Sequence, residues 1–565
     1  LPAIAIAATA CISSAAVANQ TLTIVGSNQN DTIVLRLRAG DPNTLEVDDN
    51  GDGTADFAFD RSTFNAIDVE GGAGNDTLRI DHSNGVFTDT DATTLSGGDG
   101  NDTLIGDVGN ERLDGGAGDD VLIGGQGSDV LIGGDGADTF QWNPGDASDL
   151  IEGGTGADRL MFNGANANEA FDLSANGSRV RLSRNIASIT MDINGVETLD
   201  LAAGGGTDTV TVHDLAGTDL TTVDADLSAL GGGDDGAVDE VVVPPGVPIG
   251  SDGTAATVGG LGAQVRVLNG GANDRIHVTG TTATDTVPIV GTSGADVVTA
   301  TTDGSDAVVT GATPGVQVRL TSVPHLDISL GDGDDSFSAS GNLAAVTQLD
   351  VDGGAGADTL LGGNGDDTLR GGTGDDLIDG NQGNDTVLAG DGNDTIKWDP
   401  GDGSDIVEGG SGANRLAFNA SAASEKVEVS ANGSRTRLTR DIGNIVMDMN
   451  DVQTIDVALL GGTDTLTVDD LTGTDVTKVD ADLSASGGGD DGAADNVVVN
   501  GTANDDAFAV SDAGSTVSVS GLAAQVNVTG STAALDKLTI NGLGGTDSFS
   551  VTPGVPALIG LNLVP

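Results

Sequence analysis

The sequence predicts an all-β chain built as a stack of short strands, and three observations lead there. A nine-residue phrase recurs, as in GGAGDDVLIGGQGSDVLIGGDGADTF over residues 115–140, with glycines, an acid and an apolar run at fixed places. The eighth place of every unit is apolar. Helical windows are broken by glycine or by β-branched residues, so no amphipathic helix stands out. Composition agrees: 90 residues are Gly and aromatics make up 2%, with no Tyr, yet 37% of the chain is hydrophobic. That is too apolar for a disordered acidic tail and too poor in large rings for a conventional core. Many thin β layers with small interiors and glycine turns satisfy both limits.

The chain is also strongly acidic. Its 87 Asp and Glu stand against 21 Lys and Arg, a formal charge of -66. Phosphate would be repelled, so nucleic acid is excluded as a partner, and anionic membrane surfaces are disfavoured in the same way. Water and divalent cations are favoured. No segment has the ~20 apolar residues needed to span a bilayer.

The opening, LPAIAIAATACISSAAVANQ, is apolar and lacks a Met or a basic flank. Residues 1–18 read as the remnant of a secretory signal, with Ala16-Val17-Ala18 as an A-x-A cleavage site. Ala8-Thr9-Ala10-Cys11 is a weaker lipoprotein-type alternative, and a retained apolar strand is a third. Cys11 is the only cysteine, so there is no disulfide framework. The last residues, LIGLNLVP, stop on an apolar run, as a fragment of a longer chain would.

A large duplication organises the rest. WNPGDASDLIEGGTGADRLMFN from Trp142 returns as WDPGDGSDIVEGGSGANRLAFN from Trp398, a shift of 256 positions (398 − 142). The shift holds without a gap from Gly97 against Gly353 to Val243 against Val499. SANGSRVRLSR returns as SANGSRTRLTR. The expected map is a β-rich lead-in over 19–96, a repeat array over 97–161, and a β-rich tail over 162–243. A linker and second lead-in cover 244–352, a second array 353–417 and a second tail 418–565. The tails carry runs such as DTVTV, DTLTV and NVVVN, with period-two alternation. They are expected to continue as a solenoid with longer rungs, with β-sandwich-like domains as the alternative.

Each array holds seven units. The eighth-place residues are Leu104, Leu113, Leu122, Leu131, Phe140, Ile151 and Leu160 in the first, and Leu360, Leu369, Ile378, Val387, Ile396, Val407 and Leu416 in the second. A three-residue strand with its middle side chain inward gives this pattern. The glycines before it permit tight and left-handed turns. Trp142-Asn143 and Trp398-Asp399 interrupt the count at the same unit of each array; the tryptophans are expected to be packed wedges, with ligand stacking as the alternative.

These units, GGxGxDxUx with U apolar, resemble the RTX, or hemolysin-type, calcium-binding repeat. The resemblance implies a right-handed parallel β-roll in which two units make one turn. It also implies calcium ions between stacked turns, held by backbone carbonyls and sixth-place acids. Those acids would then alternate between two edges. In the first array one edge carries Asp102, Asp120, Asp138 and Asp158, and the other Glu111, Asp129 and Asp149. In the second, one carries Asp358, Asp376, Asp394 and Asn414, and the other Asp367, Asp385 and Asp405. Asp76 and Asp335, each one turn ahead of its array, are further candidates. Asn414 has no charge and is expected to bind weakly or to mark the end of its array.

Rungs of a β stack lie ~4.8 Å apart. Two carboxylates at about 5 Å repel by roughly 3 kcal/mol at an effective dielectric near 20, and several such pairs exceed the ~5–15 kcal/mol that holds a typical domain together. An empty roll is therefore expected to be loose or unfolded, and binding and folding to be one event. Calcium suits the site because it accepts six to eight oxygens in flexible geometry. Magnesium is stricter, and zinc is poorly served because the arrays contain neither His nor Cys.

Outside the arrays, Asp48, Asn50, Asp52, Gly53 and Asp56 match the start of a D-x-N-x-D-G calcium loop, but Phe59 stands where the bidentate Glu should be. The loop either binds metal or is a plain acidic turn. The twin GGGDDGA loops, with Asp234, Asp235, Asp490 and Asp491, read as solvated turns. The four histidines, His82, His213, His277 and His325, have no zinc-ligand spacing, and no GxSxG elbow or P-loop occurs. The expected function is a secreted, extracellular or cell-surface, non-enzymatic calcium-binding protein. Such a protein would serve as a matrix, surface-layer, adhesin or fibre subunit, with a homopolymer or a cell-surface glycan as partner. The alternative is a calcium-stabilised scaffold for a carbohydrate-active site, which the many carboxylate pairs would permit.

Overall fold

A computed structural model describes residues 11–565, and its regular elements are strands joined by turns, with a few single 3-10 turns. The chain forms two compact units. One comprises the described residues up to Thr279 with Thr313–Val318, the other Gly280–Ala312 with Arg319–Pro565.

In the first unit, Ala66–Ala73, Ala92–Asp99, Glu111–Ala117, Val130–Asp135 and Leu150–Thr155 pair in parallel, each with the next, on one face. Thr77–Asp81, Thr103–Ile105, Val121–Ile123, Thr139–Trp142 and Arg159–Asn163 do the same on the other. Leu113 lies beside Leu131, and Leu104 beside Leu122, so two nonapeptide units make one turn. In the second unit the two faces are Gln348–Ala355, Thr368–Thr373, Thr386–Asp391 and Ile406–Ser411 against Thr359–Leu361, Leu377–Asp379, Thr395–Trp398 and Arg415–Asn419.

The core follows from the strand period. The middle residue of each short strand points inward, and all fourteen eighth-place residues are buried, none more than 2% exposed. Each such Leu, Ile or Val removed from water stabilises by about 1.5–3 kcal/mol. The two-residue insertions are absorbed by turning the tryptophans inward beside the eighth-place column, two residues further along the strand. Trp142 stacks on Phe162 at 4.1 Å between ring centroids, and Trp398 on Phe418 at 4.2 Å. Their indole nitrogens donate to the carbonyls of Ala147 (2.7 Å) and Gly403 (2.9 Å). Both rings are buried, so they are wedges of the core.

The tails continue as parallel rungs, as a solenoid does. Arg159–Asn163 leads to Thr198–Ala202, Thr222–Asp226 and Gln264–Leu268. Ala170–Asn176 leads to Thr209–Val212, Glu240–Val243 and Arg275–Thr279. One feature was not anticipated. Ala170–Asn176, Arg179–Arg184 and Ile189–Asn194 form an antiparallel meander, and its last strand pairs in parallel with Leu150–Thr155. Lys426–Asn432, Arg435–Arg440 and Ile445–Asn450 repeat it in the second unit.

At the beginning of the described chain, Ile12–Ala18 pairs antiparallel with Thr21–Gly26. The segment read as the end of a leader, including Ala16-Val17-Ala18, is thus a strand of the sheet, and cleavage after Ala18 would remove it. Ala8, Thr9 and Ala10 lie outside the described residues.

Candidate metal centre

The turns bring the sixth-place acids into columns. Glycine is required where successive turns touch: Gly118 has φ +129°, and a Cβ on it would meet the carbonyl group of Gly100 one turn back, 2.5 Å from the carbon. This close stacking sets each acid above the next.

The columns are continuous hydrogen-bonded ladders. In each step a backbone N–H donates to Oδ1 of the acid one turn on. Asp31 donates to Asp76 (2.7 Å), Asp76 to Asp102 (2.7 Å), Asp102 to Asp120 (2.7 Å), Asp120 to Asp138 (2.9 Å) and Asp138 to Asp158 (2.8 Å). On the opposite edge Glu111 donates to Asp129 (2.8 Å) and Asp129 to Asp149 (2.9 Å). The second unit repeats both edges. Asp296, Asp335, Asp358, Asp376, Asp394 and Asn414 form one, and Asp367, Asp385 and Asp405 the other.

One carboxylate oxygen is satisfied in this way and the other is not. Oδ2 of Asp76, Asp102, Asp120, Asp129, Asp138, Asp158, Asp335, Asp358, Asp376, Asp385 and Asp394 is buried without a hydrogen-bond partner, as is Oε1 of Glu111. At Asp76, Asp102, Asp120, Asp138, Asp158, Asp358 and Asp376 this oxygen shares a small space with a carbonyl. A Cβ on Gly71 would lie 2.5 Å from Asp76 Oδ2 and 2.6 Å from the carbonyl oxygen of Gly97 on the next turn. Two acceptors therefore face each other across a glycine with no donor between them. Burying such a pair is costly unless a cation or a proton bridges it.

Asn414 is the internal control. Its Nδ2 occupies the place of the unpartnered oxygen and donates to the carbonyls of Asp451 (3.0 Å) and Gly410 (3.3 Å). Its own N–H donates to Gln453 Oε1 (2.6 Å), where Asp158 donates to Glu197 Oε2 (2.7 Å) in the first unit. Two amides replace two acids, and this rung closes with protein groups alone.

The electrostatics follow. Burial pushes Asp129 and Asp385 up to about 8, and Asp120 and Asp376 up to about 7; neighbouring carboxylates push the same way and the donated N–H pulls back. Burial likewise raises Asp102, Asp138, Asp367 and Asp405 to about 6 and Asp149 to about 7. Asp76, Glu111, Asp158, Asp335, Asp358 and Asp394 are also raised, with burial the largest cause.

All fifteen expected acids stand in the columns, although Asp149, Asp367 and Asp405 have no buried oxygen left without a partner; Asp367 Oδ2 accepts from the N–H of Gly363 (2.8 Å). A parallel column was missed. Fifth-place side chains also accept from the next turn: Asn75 from Asn101, Asn101 from Asp119, Asp119 from Ala137, Asp375 from Asn393. The enrichment of Asn and Asp at the fifth place was the available signal. The Asp48 loop supplies its own partners, since Asp48 accepts from Gly53 N–H (2.7 Å) and pairs with Arg36 at 3.1 Å. Among the described residues no three His, Cys, Asp or Glu side chains form a cluster of their own. A cation between turns would draw on carbonyls for most of its oxygens, which suits calcium and not zinc.

These features define a class, a parallel β-roll with a buried acid on successive turns. The profile of the RTX calcium-binding nonapeptide repeat (4 copies) matches residues 68–79, 87–122, 105–140, 145–166, 350–376, 361–396 and 400–417. The chain carries RTX calcium-binding repeats in both of its modules, and each array of them is a parallel β-roll. No curated protein matches the chain.

Proposed function

We propose that this is a secreted structural or surface protein whose arrays fold on taking up several calcium ions. One observation carries the reading: columns of buried carboxylate oxygens without a partner, which at Asp76, Asp102, Asp120, Asp138, Asp158, Asp358 and Asp376 lie across a glycine from a carbonyl of the next turn. Asp102, Asp120, Asp138, Asp129, Asp358, Asp376, Asp394 and Asp385 would hold the ions, with Asp76, Asp158, Asp335 and Glu111 completing the columns. Asp149, Asp367 and Asp405 close the second edge of each array. Calcium supplies the charge that joins adjacent turns; the chain supplies the spacing, the carbonyls and the exclusion of water. Millimolar affinities typical of extracellular modules would load the sites outside the cell and leave them empty inside it. Export before folding follows from that difference.

The role that fits is a matrix, surface-layer, adhesin or fibre subunit, with a second copy of the chain or a surface glycan as partner. Circular dichroism during calcium titration tests the folding step. The β signal should be weak in excess chelator and rise cooperatively with calcium; a full signal in chelator would overturn it. Negative-stain microscopy with and without calcium tests assembly, strings or sheets in calcium alone being the expected result.

A further inference from the structure

Each tail carries a ladder of its own, beyond the matched repeats. In the first unit Glu169 N–H donates to Asp208 Oδ1 (2.7 Å), Asp208 to Asp239 (2.8 Å) and Asp239 to Asp274 (2.9 Å). In the second, Glu425 donates to Asp464 (2.7 Å), Asp464 to Asp495 (2.8 Å) and Asp495 to Asp536 (3.0 Å).

Several members of these ladders have protein partners for their remaining oxygens. Glu169 is paired with the buried Arg184, whose Nε donates to Oε1 at 2.5 Å, and Glu425 with Arg440, whose Nε donates to Oε2 at 2.7 Å. Asp274 Oδ2 accepts from Gly271 N–H (2.5 Å), and Asp536 Oδ2 from Thr532 N–H (2.6 Å). Asp208 and Asp464 lack this second partner. They are 0% and 1% exposed, and Oδ2 of each is buried without one. The same defect therefore occurs at the same place in both modules.

A further acid hangs over each turn. Asp235 Oδ2 accepts from Gly206 N–H (2.7 Å), two residues before Asp208, and Asp491 Oδ2 from Gly462 N–H (3.1 Å), two residues before Asp464. These are acids of the GGGDDGA loops, so the loops reach back over the ladders. We propose that Asp208 and Asp464 each hold a calcium ion through the unpartnered Oδ2, one per module, outside the repeat arrays. The repeat signature is weakened here: Ala203 in the first module and Leu459-Leu460 in the second stand at the leading glycine places, while Gly-Thr-Asp survives. The inference rests on the arrays taking calcium by the same device.

The test is calcium stoichiometry by equilibrium dialysis on the full chain. The double variant Asp208→Asn, Asp464→Asn should bind about two fewer ions per chain than the parent, because an amide closes a rung as Asn414 does. An unchanged count would overturn the proposal. A second measurement needs no variant. Anomalous scattering from crystals of the calcium-loaded protein should give peaks roughly 2.3–2.6 Å from Asp208 Oδ2 and Asp464 Oδ2. Peaks in the arrays without these two would overturn this inference alone. Absence of peaks in the arrays as well would overturn the reading of the arrays.

Discussion

At the scale of single residues, the chemistry rests on whether a buried carboxylate has one partner or two. Asn414 shows what a second partner does, since its amide donates where an aspartate would present a lone pair. Asn414→Asp should recreate the defect. At the lowest calcium concentration that still folds the parent, the variant should lose about 1–3 kcal/mol of stability, the cost of an unsatisfied buried group, and in saturating calcium recover most of it. Urea denaturation under the two conditions checks this, and equal losses in both would refute it. Titration gives a second prediction. Asp120 at about 7 and Asp129 at about 8 lie above the unfolded value of ~3.9. The folded state then holds protons that the unfolded state releases. Stability from these groups is fully present below about pH 4 and is lost as pH rises to about 8. Calcium reverses the sign, because it binds the deprotonated form. In calcium-stripped buffer the β signal should therefore be stronger at pH 5 than at pH 8, and in calcium the thermal midpoint should rise over the same range. The sixth-place acids were legible in the sequence because a strict period fixes their edge. GGGTDTVTV and GGTDTLTV, which hold Asp208 and Asp464, are legible as single-turn echoes of the repeat, but the missing partner of each Oδ2 depends on tertiary contact.

At the scale of elements, the two meanders show why part of the fold was hidden. Their strands alternate as any half-buried strand does, whether the neighbour is a parallel rung or a hairpin partner. The distinguishing mark is Asn-Gly in SANGSR, where Asn176 pairs with Arg179 and Gly177 takes φ +71°. Within SANGSRVRLSR this turn was legible, but its pairing with the array was not, because register with Leu150–Thr155 depends on tertiary contact. Each meander delivers one buried arginine. The Arg440 guanidinium lies 5.4 Å from the centroid of Trp398 and pairs with Glu425, which is itself a rung of the tail ladder. Here the chain provides its own cation where the arrays need one from solution. Arg440→Ala should cost about 3–5 kcal/mol, because Glu425 stays buried without its counter-charge. Adding Glu425→Gln should restore much of that. Denaturant midpoints of the single and double variants in saturating calcium measure the difference, and equal midpoints for the two would refute the pairing argument.

At the scale of the whole molecule, two kinds of negative charge must be separated. Most of the charge of -66 sits on the surface, where salt screens it over a Debye length of about 10 Å at 0.1 M. The ladder oxygens are different: they are buried without a partner, and most of them lie across a glycine from a carbonyl of the next turn. Dissolved sodium weakens repulsion between surface acids but cannot supply several oxygens with one compact divalent charge. Calcium does both, and each bound ion adds about 2.7 kcal/mol at a free concentration one hundred times its dissociation constant. A few ions then match the ~5–15 kcal/mol of an ordinary domain. If surface repulsion were what opposed folding, about 0.5 M sodium chloride should restore the β signal in chelator. If the buried columns oppose it, that salt should leave the signal low, magnesium should restore it only in part, and calcium should restore it fully. Circular dichroism of one chelated sample divided among the three additions separates the cases, and full recovery in sodium chloride would remove the columns from the explanation of folding.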